Sequence, residues 1–420
     1  MNQFRSRGNA STKRGWGILA GFISFLLAGL MGVLVIVPAV SPSVGAQVAD
    51  MIRSVTGPQP VADLESVSFQ IQDSINRFIS AHNGGRKAIS LSQTNAAQNP
   101  PQVKQTNVGQ TSPQMQPTNI GQVPQMQRRA SSTVSTSPTA VPLPVSDVVN
   151  AAPQIGWQAY GPAVNGSPVL AQALLSLDPQ RPYAGIVLVR IDLSKLKLHI
   201  EPGFLEPSHT KDTVNAIPNL GLTPAADQSN LVAGFNGGFK AVNGYYGMMV
   251  NGVTLLPAIP SIATVAIYRD GHIQIGAWGQ DILPSSDIVA FRQNCPLIIQ
   301  NGQINSQVSV DNRAVWGDTI GNQEITWRTG LGLTQDGRYL IYAVGNGTTV
   351  ETLAQALQDA GAYNAMQLDI NRHYAHFVTY QSSGKPNPPL RAVQLLDQME
   401  NDPTLYLVAH SRDYFYLTSQ

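Results

Sequence analysis

A segment poor in core-forming residues divides this chain of 420 residues and limits where a globular fold can lie. No aromatic residue occurs between Phe78 and Trp157, and no acidic residue occurs between Asp73 and Asp147. Residues 84–150 consist mainly of Gln, Ser, Thr, Asn, Pro and Val. Such a composition buries too little apolar surface to offset the conformational entropy that ordering removes. We therefore predict a disordered linker over these residues and a globular domain after it.

The first 40 residues have the pattern of a membrane-spanning segment. Residues 15–40 are apolar and uncharged, and a helix of that length, at about 1.5 Å per residue, exceeds the hydrocarbon thickness of a bilayer. Residues 1–14 contain four basic side chains, whereas residues 41–52 contain none. By the positive-inside rule, residues 1–14 form a cytoplasmic tail and the rest of the chain lies outside the cytoplasm. We predict an uncleaved, single-pass signal anchor at 15–40, with a signal peptide cleaved near Ala46 as the alternative.

The segment between this apolar run and the linker is amphipathic. Over residues 47–82, apolar side chains recur at spacings of three and four, which is typical of one face of a helix. These side chains are Leu64, Val67, Ile71, Ile75 and Phe78. The opposite face is not basic enough for a helix that lies on a membrane surface. We predict a juxtamembrane helix that packs against protein.

The residues after the linker alternate between apolar runs and turn signals, which predicts a domain over 155–420 built mainly from strands. Ile186–Ile191 is a continuous apolar run and predicts a strand that is buried on both faces. Leu196–Ile200 alternates apolar with polar residues and predicts a strand with one solvent-facing side. Further strands are predicted at 231–235, 261–268, 272–275, 296–299, 376–380, 404–408 and 414–417.

The best-defined unit of the domain is a strand, a helix and a second strand. The strands are predicted at 339–344 and 365–368, and the residues between them have helical periodicity. Thr348 and Glu351 have the spacing of a capping box, and Gly361 is a helix-ending residue. The predicted fold class is therefore α+β, with a mixed β-sheet core and few helices, preceded by the transmembrane helix and the disordered linker.

Three polar motifs lie at predicted strand ends beside glycine-rich turns. They are Asn236-Gly237-Gly238-Phe239, Arg328-Thr329-Gly330-Leu331-Gly332 and Leu368-Asp369. If the two strands of the strand–helix–strand unit are parallel, Asp369 lies at a carboxyl strand end, where open α/β sheets bind ligands. From composition alone, the glycine turn is ordinary or ligand-binding, and Arg328 is salt-bridged or binds phosphate. Asp369 either caps a turn, with Arg372 as its salt-bridge partner, or faces a ligand.

Several functional classes lack support in the sequence. The net charge of +1 gives no electrostatic reason to expect a nucleic acid partner. The single Cys295 forms no intramolecular disulfide and lies in an apolar stretch typical of a buried thiol. No P-loop, nucleophile elbow or zincin motif occurs. His373 and His376 are three residues apart, but they fall outside any predicted helix. We predict neither a metal nor a cofactor.

The order and spacing of the three motifs resemble the phosphodiester glycosidase family over about residues 180–420. The family typically has Asn-Gly-Gly-Phe-Phe at the first motif, where this chain has Lys240 in place of the final aromatic residue. The family also opens an Asp-Gly-Gly-Gly-Ser loop at the third motif. Here the loop reads Asp-Ile-Asn-Arg-His-Tyr over residues 369–374, so this chain is a variant that lacks the glycine loop.

The resemblance implies a hydrolase of glycosidic phosphodiester bonds. It implies a catalytic site formed by Asn236, Arg328 and Asp369, with Arg328 on the phosphate and Asp369 in proton transfer or positioning. We expect these three side chains to line one pocket. The residues expected to bind the substrate are Gly237, Gly238, Lys240, Thr329, Arg372 and His373.

We therefore predict a membrane-anchored enzyme of the periplasm or cell envelope that acts on sugar-1-phosphodiesters in envelope glycans or glycolipids. The alternative is a non-catalytic module that binds a phosphosugar or polysaccharide of the envelope. In both cases the partner is a carbohydrate or phosphosugar ligand, and the N-terminal helix contacts the membrane. Turnover of a sugar-1-phosphodiester distinguishes the two hypotheses.

Overall fold

The computed structural model describes residues 73–75, 77–79, 81, 155–179, 181–207, 215–217, 221–309, 313–317, 325–382 and 390–420. The predicted cytoplasmic tail (1–14), signal anchor (15–40) and linker (84–150) lie outside the described residues. Within the amphipathic segment 47–82, all the described residues are helical. No helix in the described ranges is both long enough and apolar enough to cross a membrane.

The domain consists mainly of strands, with few helices, as the sequence predicts. In chain order the strands are β1 (Gln158–Val164), β2 (Ser167–Leu175), β3 (Ile186–Asp192), β4 (Leu196–Glu201), β5 (Leu231–Asn236), β6 (Met248–Val250), β7 (Val253–Leu256), β8 (Ala263–Tyr268), β9 (Ile273–Ala277), β10 (Ile288–Gln293), β11 (Leu297–Gln300), β12 (Gln303–Ile304), β13 (Thr326–Leu333), β14 (Tyr339–Thr348), β15 (Asn364–Gln367), β16 (Phe377–Ser382), β17 (Leu390–Gln394) and β18 (Tyr414–Ser419). The helices are α1 (Ala225–Gln228), α2 (Arg313–Trp316) and α3 (Val350–Asp359), and short 3-10 helices lie at Ala241–Asn243, Ser306–Ser309 and Leu405–Leu407.

These strands form three sheets in which all the pairings between strands of the described residues are antiparallel. The eight-stranded sheet has the order β1-β2-β3-β14-β13-β15-β11-β12. A five-stranded sheet that we call the site sheet has the order β17-β16-β5-β18-β4. The second five-stranded sheet, which we call the hairpin sheet, has the order β7-β6-β10-β8-β9.

The predicted strand–helix–strand unit is present as β14, α3 and β15. Both strands pair with β13, which lies between them, so β14 and β15 run parallel without touching. The helix is capped by Thr349, whose side chain accepts a hydrogen bond from the backbone N of Thr352. The predicted capping box from Thr348 to Glu351 is therefore wrong, because Thr348 is still paired within β14. Gly361 follows the helix with a φ of 91°, as expected for a helix-ending glycine.

The eight-stranded sheet is buried on both faces. Val187 and Val189 of β3 pack in the main core, which also contains side chains of both five-stranded sheets. Ile186 and Leu188 point the other way and pack in a second cluster with α3. The strand predicted to be buried on both faces is thus confirmed, and β4 keeps Lys197 exposed as predicted.

One predicted strand is wrong. Residues 404–408 contain the 3-10 helix Leu405–Leu407, because Oδ1 of Asp402 accepts hydrogen bonds from the backbone N and the hydroxyl of Thr404, at 2.7 and 2.6 Å, and turns the chain. Tyr406 is thereby stacked on Tyr414, with 4.4 Å between the ring centroids. The predicted hairpin β8–β9 and strands β16 and β18 are present, with bounds within two residues of those predicted.

Candidate active site

Three segments of the chain meet at one end of the site sheet. β5 ends at Asn236, and β18 runs antiparallel to it, so that Asn236 pairs with Tyr414. The backbone N of Gly237 donates to the carbonyl oxygen of Asp413 at 3.1 Å. The backbone N of Asp369, two residues beyond β15, donates to the carbonyl oxygen of Gly237, also at 3.1 Å. The end of β5, the segment after β15 and the start of β18 therefore form one site.

The backbone amides of the Asn-Gly-Gly turn donate hydrogen bonds to other residues of the protein. The backbone N of Gly238 donates to Oδ2 of Asp413 at 3.1 Å, and that of Phe239 donates to Oδ1 of Asn294 at 3.0 Å. A Cβ atom on Gly237 would lie 2.0 Å from Oδ2 of Asp413. The glycine thus permits the close approach of a buried carboxylate. The amides of Gly237 and Gly238 already have partners, so the expected role of these amides in substrate binding does not fit the geometry.

Asn236 joins the site sheet to the eight-stranded sheet. Its Nδ2 donates to Oγ1 of Thr329 at 2.9 Å, and Thr329 donates in turn to the carbonyl oxygen of Asp369 at 2.6 Å. Its Oδ1 accepts from the hydroxyl of Tyr342 at 2.9 Å and from the backbone N of His376 at 3.2 Å. Because its amide is fully engaged, Asn236 positions its neighbours, and Thr329 does the same.

Asp369 forms a buried ion pair that sequence reasoning did not identify. Its Oδ2 accepts from Nη2 of Arg412 at 2.7 Å. Its Oδ1 accepts from the backbone N of Asn371 at 2.8 Å, so the carboxylate also caps the turn that follows β15. Nη2 of Arg412 donates a second bond to the carbonyl oxygen of Gly238, and the guanidinium lies 4.2 Å from the centroid of the Tyr374 ring.

A polar pocket of about 240 Å3, measured to its open mouth, lies at this ion pair. The residues that line it are Asn236, Gly237, Gly238, Asp369, Tyr374, Asn401, Leu405, Tyr406, His410, Arg412 and Asp413. Among the described residues, no group of three His, Cys, Asp or Glu side chains is arranged to hold a metal ion.

Arg412 combines a fixed charge with an unused donor. Burial alone would lower the pKa of Arg412, but the charges of Asp369 and Asp413 raise it above the ordinary value. The residue is 5% exposed, and within the described part of the chain its buried Nε atom has no hydrogen-bond partner. A buried guanidinium with an unsatisfied N–H, on a residue that lines a pocket, suits an anionic ligand.

A second buried ion pair supports the first. Nε of Arg292 donates to Oδ2 of Asp413 at 2.8 Å, and both side chains are 1% exposed. Nη2 of Arg292 also donates to the carbonyl oxygen of Phe239 at 2.6 Å. Arg292 therefore compensates the Asp413 charge, as Arg412 compensates the charge of Asp369.

Arg328 is directed away from this pocket. Its Nη1 donates to Oε1 of Gln367 at 2.7 Å and to the carbonyl oxygen of Trp316 at 3.3 Å. The expected convergence of Arg328 with Asp369 is absent, because the chain leaves the eight-stranded sheet after Leu368 and Asp369 turns toward the site sheet. Arg328 holds the segment near α2 against β15.

The remaining expected substrate contacts lie near the pocket but do not line it. Nζ of Lys240 lies 5.7 Å from the centroid of the Tyr374 ring, at the rim. Arg372 pairs with Oε1 of Glu400, and Nδ1 of His373 lies 3.9 Å from Oε2 of the same carboxylate. Arg372 and His373 therefore share one acidic partner outside the pocket.

The loop that replaces the glycine run of the family leaves the pocket open. Ile370 packs against the second core cluster, and its Cδ1 lies 2.6 Å from the position that a Cβ on Gly317 would occupy. The side chain of Arg372 is 57% exposed and is bound to Glu400, so it is not the salt-bridge partner of Asp369. Neither Ile370 nor Arg372 lines the pocket.

His410 places an imidazole in the pocket wall. Its Nδ1 lies 3.0 Å from the carbonyl oxygen and 3.3 Å from the backbone N of Arg412. The shorter contact favours a proton on Nδ1, which donates to that oxygen and leaves a lone pair on Nε2. Burial lowers the pKa of His410, with a further contribution from the charge of Arg412, so the ring is neutral near neutral pH. The rings of Tyr406 and Tyr414 contact it edge to face.

The residues that sequence reasoning missed are His410, Arg412 and Asp413. The available signal was the polar run Ser411-Arg412-Asp413 directly before the apolar strand β18. Two charged residues at the start of a buried strand require partners. Their partners are separated from them by more than 40 residues in sequence, so only the strand pairing identifies them.

Comparison with known proteins finds similarity to one family over part of the chain. Residues 229–369 match the model of the phosphodiester glycosidase family, which confirms the predicted resemblance over that span. None of the curated proteins matches the chain.

Three solved structures are similar to parts of the chain. The catalytic domain of zebrafish N-acetylglucosamine-1-phosphodiester alpha-N-acetylglucosaminidase, auto-inhibited by its pro-peptide, is 17% identical, with 63% of this chain and 87% of that chain covered and a TM-score of 0.40. A hypothetical protein from Synechocystis is 12% identical, with 61% and 63% covered and a TM-score of 0.36. A putative exported protein from Burkholderia pseudomallei is 11% identical, with 56% and 74% covered and a TM-score of 0.31.

Proposed function

We propose that this protein hydrolyses the glycosidic bond of a sugar-1-phosphodiester in the pocket beside Asp369 and Arg412. The family match over residues 229–369 supports a phosphodiester glycosidase-type function. The observation that carries the assignment to this pocket is the buried Arg412, which is paired with Asp369 through Nη2 and retains an unsatisfied Nε. An anionic phosphodiester supplies the acceptor that this donor lacks.

In the proposed reaction, Arg412 binds the phosphate and Asp369 fixes the guanidinium. Nε2 of neutral His410 accepts a proton from a water molecule as the water oxygen bonds to the anomeric carbon. The bond between that carbon and the phosphate oxygen breaks, and its electron pair stays on the phosphate. The leaving phosphate monoester carries its additional negative charge beside Arg412, which stabilises it more than the substrate. The proton on His410 then passes to the phosphate or to solvent.

The roles expected of two predicted residues change in this proposal. Arg412 takes the phosphate-binding role that the resemblance gave to Arg328, because Arg412 lines the pocket and Arg328 does not. Asn236 acts by positioning Thr329 and the turn that follows β15. Lys240 lies at the rim, where a cation attracts an anionic substrate.

Kinetic measurements on the full-length chain test the proposal. Arg412→Lys keeps a charge near Asp369 but loses the planar guanidinium, so we expect kcat/KM to fall about 100-fold. His410→Gln should lower kcat by about 100-fold or more with little change in KM. Arg338→Lys, at an exposed arginine on the turn before β14, is the matched control and should leave both constants unchanged.

The outcomes separate hydrolysis from binding alone. Phosphosugar binding that is weakened by Arg412→Lys, with no turnover of any substrate in a broad panel, would support the non-catalytic binding module instead. Turnover that survives both Arg412→Lys and His410→Gln would show that the active site lies elsewhere.

We propose further that residues 15–40 anchor the enzyme in a membrane and that the domain acts on glycans or glycolipids of the cell envelope. The apolar length of the segment and the basic residues before it support this arrangement. A reporter fused after residue 50 should be active only outside the cytoplasm. A mature N-terminus at Gln47 would show that the apolar segment is a cleaved signal peptide and not an anchor.

A further inference from the structure

Large apolar side chains are exposed on three loops around the pocket. Loop 203–207 carries two of them, loop 240–246 carries two, and segment 405–412 carries one. They are Phe204, Leu205, Val242, Tyr245 and Val408. Elsewhere in the described part of the chain, the exposed large apolar side chains are Ile75, Phe78 and Leu283. Single exposed apolar residues are ordinary, but a concentration around one pocket is typical of a binding surface.

These loops are joined to each other and to the pocket wall. The backbone N of Phe204 donates to the carbonyl oxygen of His410 at 3.0 Å, and that of Leu205 donates to Ser411 at 3.3 Å. The backbone N of Ala241 donates to Oε2 of Glu206 at 3.0 Å, which ties loop 240–246 to loop 203–207. Since His410 lines the pocket, the apolar surface borders the anion site directly.

Two of the loops have backbone features that restrict their conformation. Tyr245 has a φ of 52° and follows Gly244, whose φ is 136°. A bulky residue in the left-handed region is uncommon and persists only where the surroundings enforce it. On the neighbouring loop, a Cβ atom on Gly203 would lie 2.2 Å from the carbonyl oxygen of Ser411, so the two segments are in close contact. Both loops are therefore restricted in conformation, and loop 203–207 lies directly against the segment that contributes His410 to the pocket wall.

The combination of an anion site with an apolar mouth suits an amphiphilic ligand. We infer that the substrate is a lipid-linked sugar phosphodiester, in which the second ester carries a long hydrocarbon chain. This inference rests on the proposed function. The phosphate binds Arg412 in the pocket, and the chain lies over Leu205, Val242 and Tyr245. A soluble polysaccharide as the leaving group would match a polar rim, and the exposed apolar side chains at this rim are unfavourable to it.

Two substrates with the same sugar test the inference on the full-length chain. One is a sugar-1-phosphodiester with a methyl group on the second ester, and the other carries a dodecyl group at a concentration below its micelle threshold. We expect kcat/KM to be at least about tenfold larger for the dodecyl substrate, because the chain buries apolar surface. In the double variant Leu205→Ser, Tyr245→Ser, the ratio of the two constants should fall to about one.

The control variant Leu283→Ser changes an equally exposed leucine, 64% against 63% for Leu205, on the hairpin-sheet side of the molecule. It should keep the tenfold ratio. An equal kcat/KM for the two substrates in the wild-type protein would overturn the inference. A ratio that Leu283→Ser lowers as much as the double variant does would also overturn it, since the effect would then come from general surface hydrophobicity.

A binding arm separates this inference from the proposed function. Dodecyl methyl phosphate and dimethyl phosphate, which lack the sugar, are titrated against the wild-type protein and the double variant. In the absence of turnover, the wild-type protein should still bind dodecyl methyl phosphate at least about tenfold more tightly than dimethyl phosphate. If the double variant loses that preference, the pocket binds an amphiphile without hydrolysing it. Equal binding of the two phosphodiesters overturns the inference. Equally strong binding to plain phosphatidylcholine vesicles, without a phosphodiester ligand in the pocket, would assign the surface to membrane docking and overturn it as well.

Discussion

The site depends on close approaches that only particular residues permit. Gly237 is the clearest case, because a Cβ atom there would lie 2.0 Å from Oδ2 of Asp413, and Asp413 is fixed by Arg292. We expect Gly237→Ala to lower the free energy of unfolding by about 3 kcal/mol through overpacking and loss of the Asp413 contacts. Urea unfolding measures the difference. Gly156→Ala, at a glycine with no atom within 4 Å of the added Cβ, should change it by less than about 0.5 kcal/mol.

Glu201 at the end of β4 should make the stability of the folded protein fall as pH rises. Burial raises the pKa of Glu201 to about 8 from an ordinary value of 4.5, and its Oε1 has no hydrogen-bond partner among the described residues. Between these values the folded protein holds a proton that the unfolded chain releases, so this group lowers stability as pH rises. Glu201→Gln removes the effect. The variant should be more stable than the wild type by on the order of 1–3 kcal/mol at pH 8.5.

The same comparison at pH 4.5 should show little difference, because the carboxyl is then neutral in the folded protein and only about half ionised in the unfolded chain. Thermal or urea unfolding at the two pH values gives the result. Glu351→Gln, at an exposed position in the first turn of α3, should change stability by less than about 0.5 kcal/mol at either pH. A stability gain for Glu201→Gln that is the same at pH 4.5 and 8.5 would contradict the proposed cause.

Single residues also show how far sequence reasoning reaches. Asn236 and Asp369 are candidates from the sequence because polar residues that end apolar strands are visible there, and both line the pocket. The orientation of Arg328 was not predictable, since it depends on where β15 ends and which sheet the chain joins next. Arg412 was missed because its partners follow β5 and β15, far away in the chain.

Among the elements, the helical residues before the linker make a specific contact with the domain. Oδ1 and Oδ2 of Asp73 accept from Nε and Nη2 of Arg181 at 2.9 and 3.0 Å, and the hydroxyl of Tyr183 adds a bond of 3.0 Å. Burial alone would raise the pKa of Asp73, but the hydrogen bonds and charge of Arg181 lower it below the ordinary value. This contact agrees with a helix that packs against protein.

Breaking this contact should release the helix. We expect Asp73→Asn to lower the free energy of unfolding by about 2–4 kcal/mol, because it leaves a mostly buried arginine with weaker partners, and to speed protease cleavage near residues 73–81. Limited proteolysis of the full-length chain measures the second effect. Asp270→Asn, at a carboxylate that is 71% exposed, is the control. Unchanged cleavage in Asp73→Asn would show that other contacts hold the helix.

Elements with local signals were predicted well and elements with distant partners were not. The hairpin β8–β9 and the helix α3 depend on residues close together in sequence, and both are present. The site sheet instead pairs β18 with β4 and β5, from opposite ends of the domain. No local sequence pattern specifies such a pairing, because the backbone of many apolar strands could form the same hydrogen bonds with β18.

For the whole molecule, the candidate site extends beyond the segment that matches the phosphodiester glycosidase family model. The match covers residues 229–369, which include β5 and Asp369. His410, Arg412 and Asp413 lie outside that span and reach the site because β18 pairs with β5. The cation and the base of the proposed reaction, Arg412 and His410, therefore lie in the segment directly before the C-terminal strand β18, and the pairing of β18 with β5 brings that segment to the site.

The central claim is that the pocket beside Asp369 and Arg412 cleaves the bond between an anomeric carbon and a phosphate. The most direct measurement is hydrolysis of a sugar-1-phosphodiester by the full-length protein in water enriched in oxygen-18, followed by mass spectrometry of both products. Attack of water on the anomeric carbon places the label in the released sugar and leaves the phosphate monoester unlabelled. That is the result we predict. Label in the phosphate, or no product from any sugar-1-phosphodiester, would contradict the account.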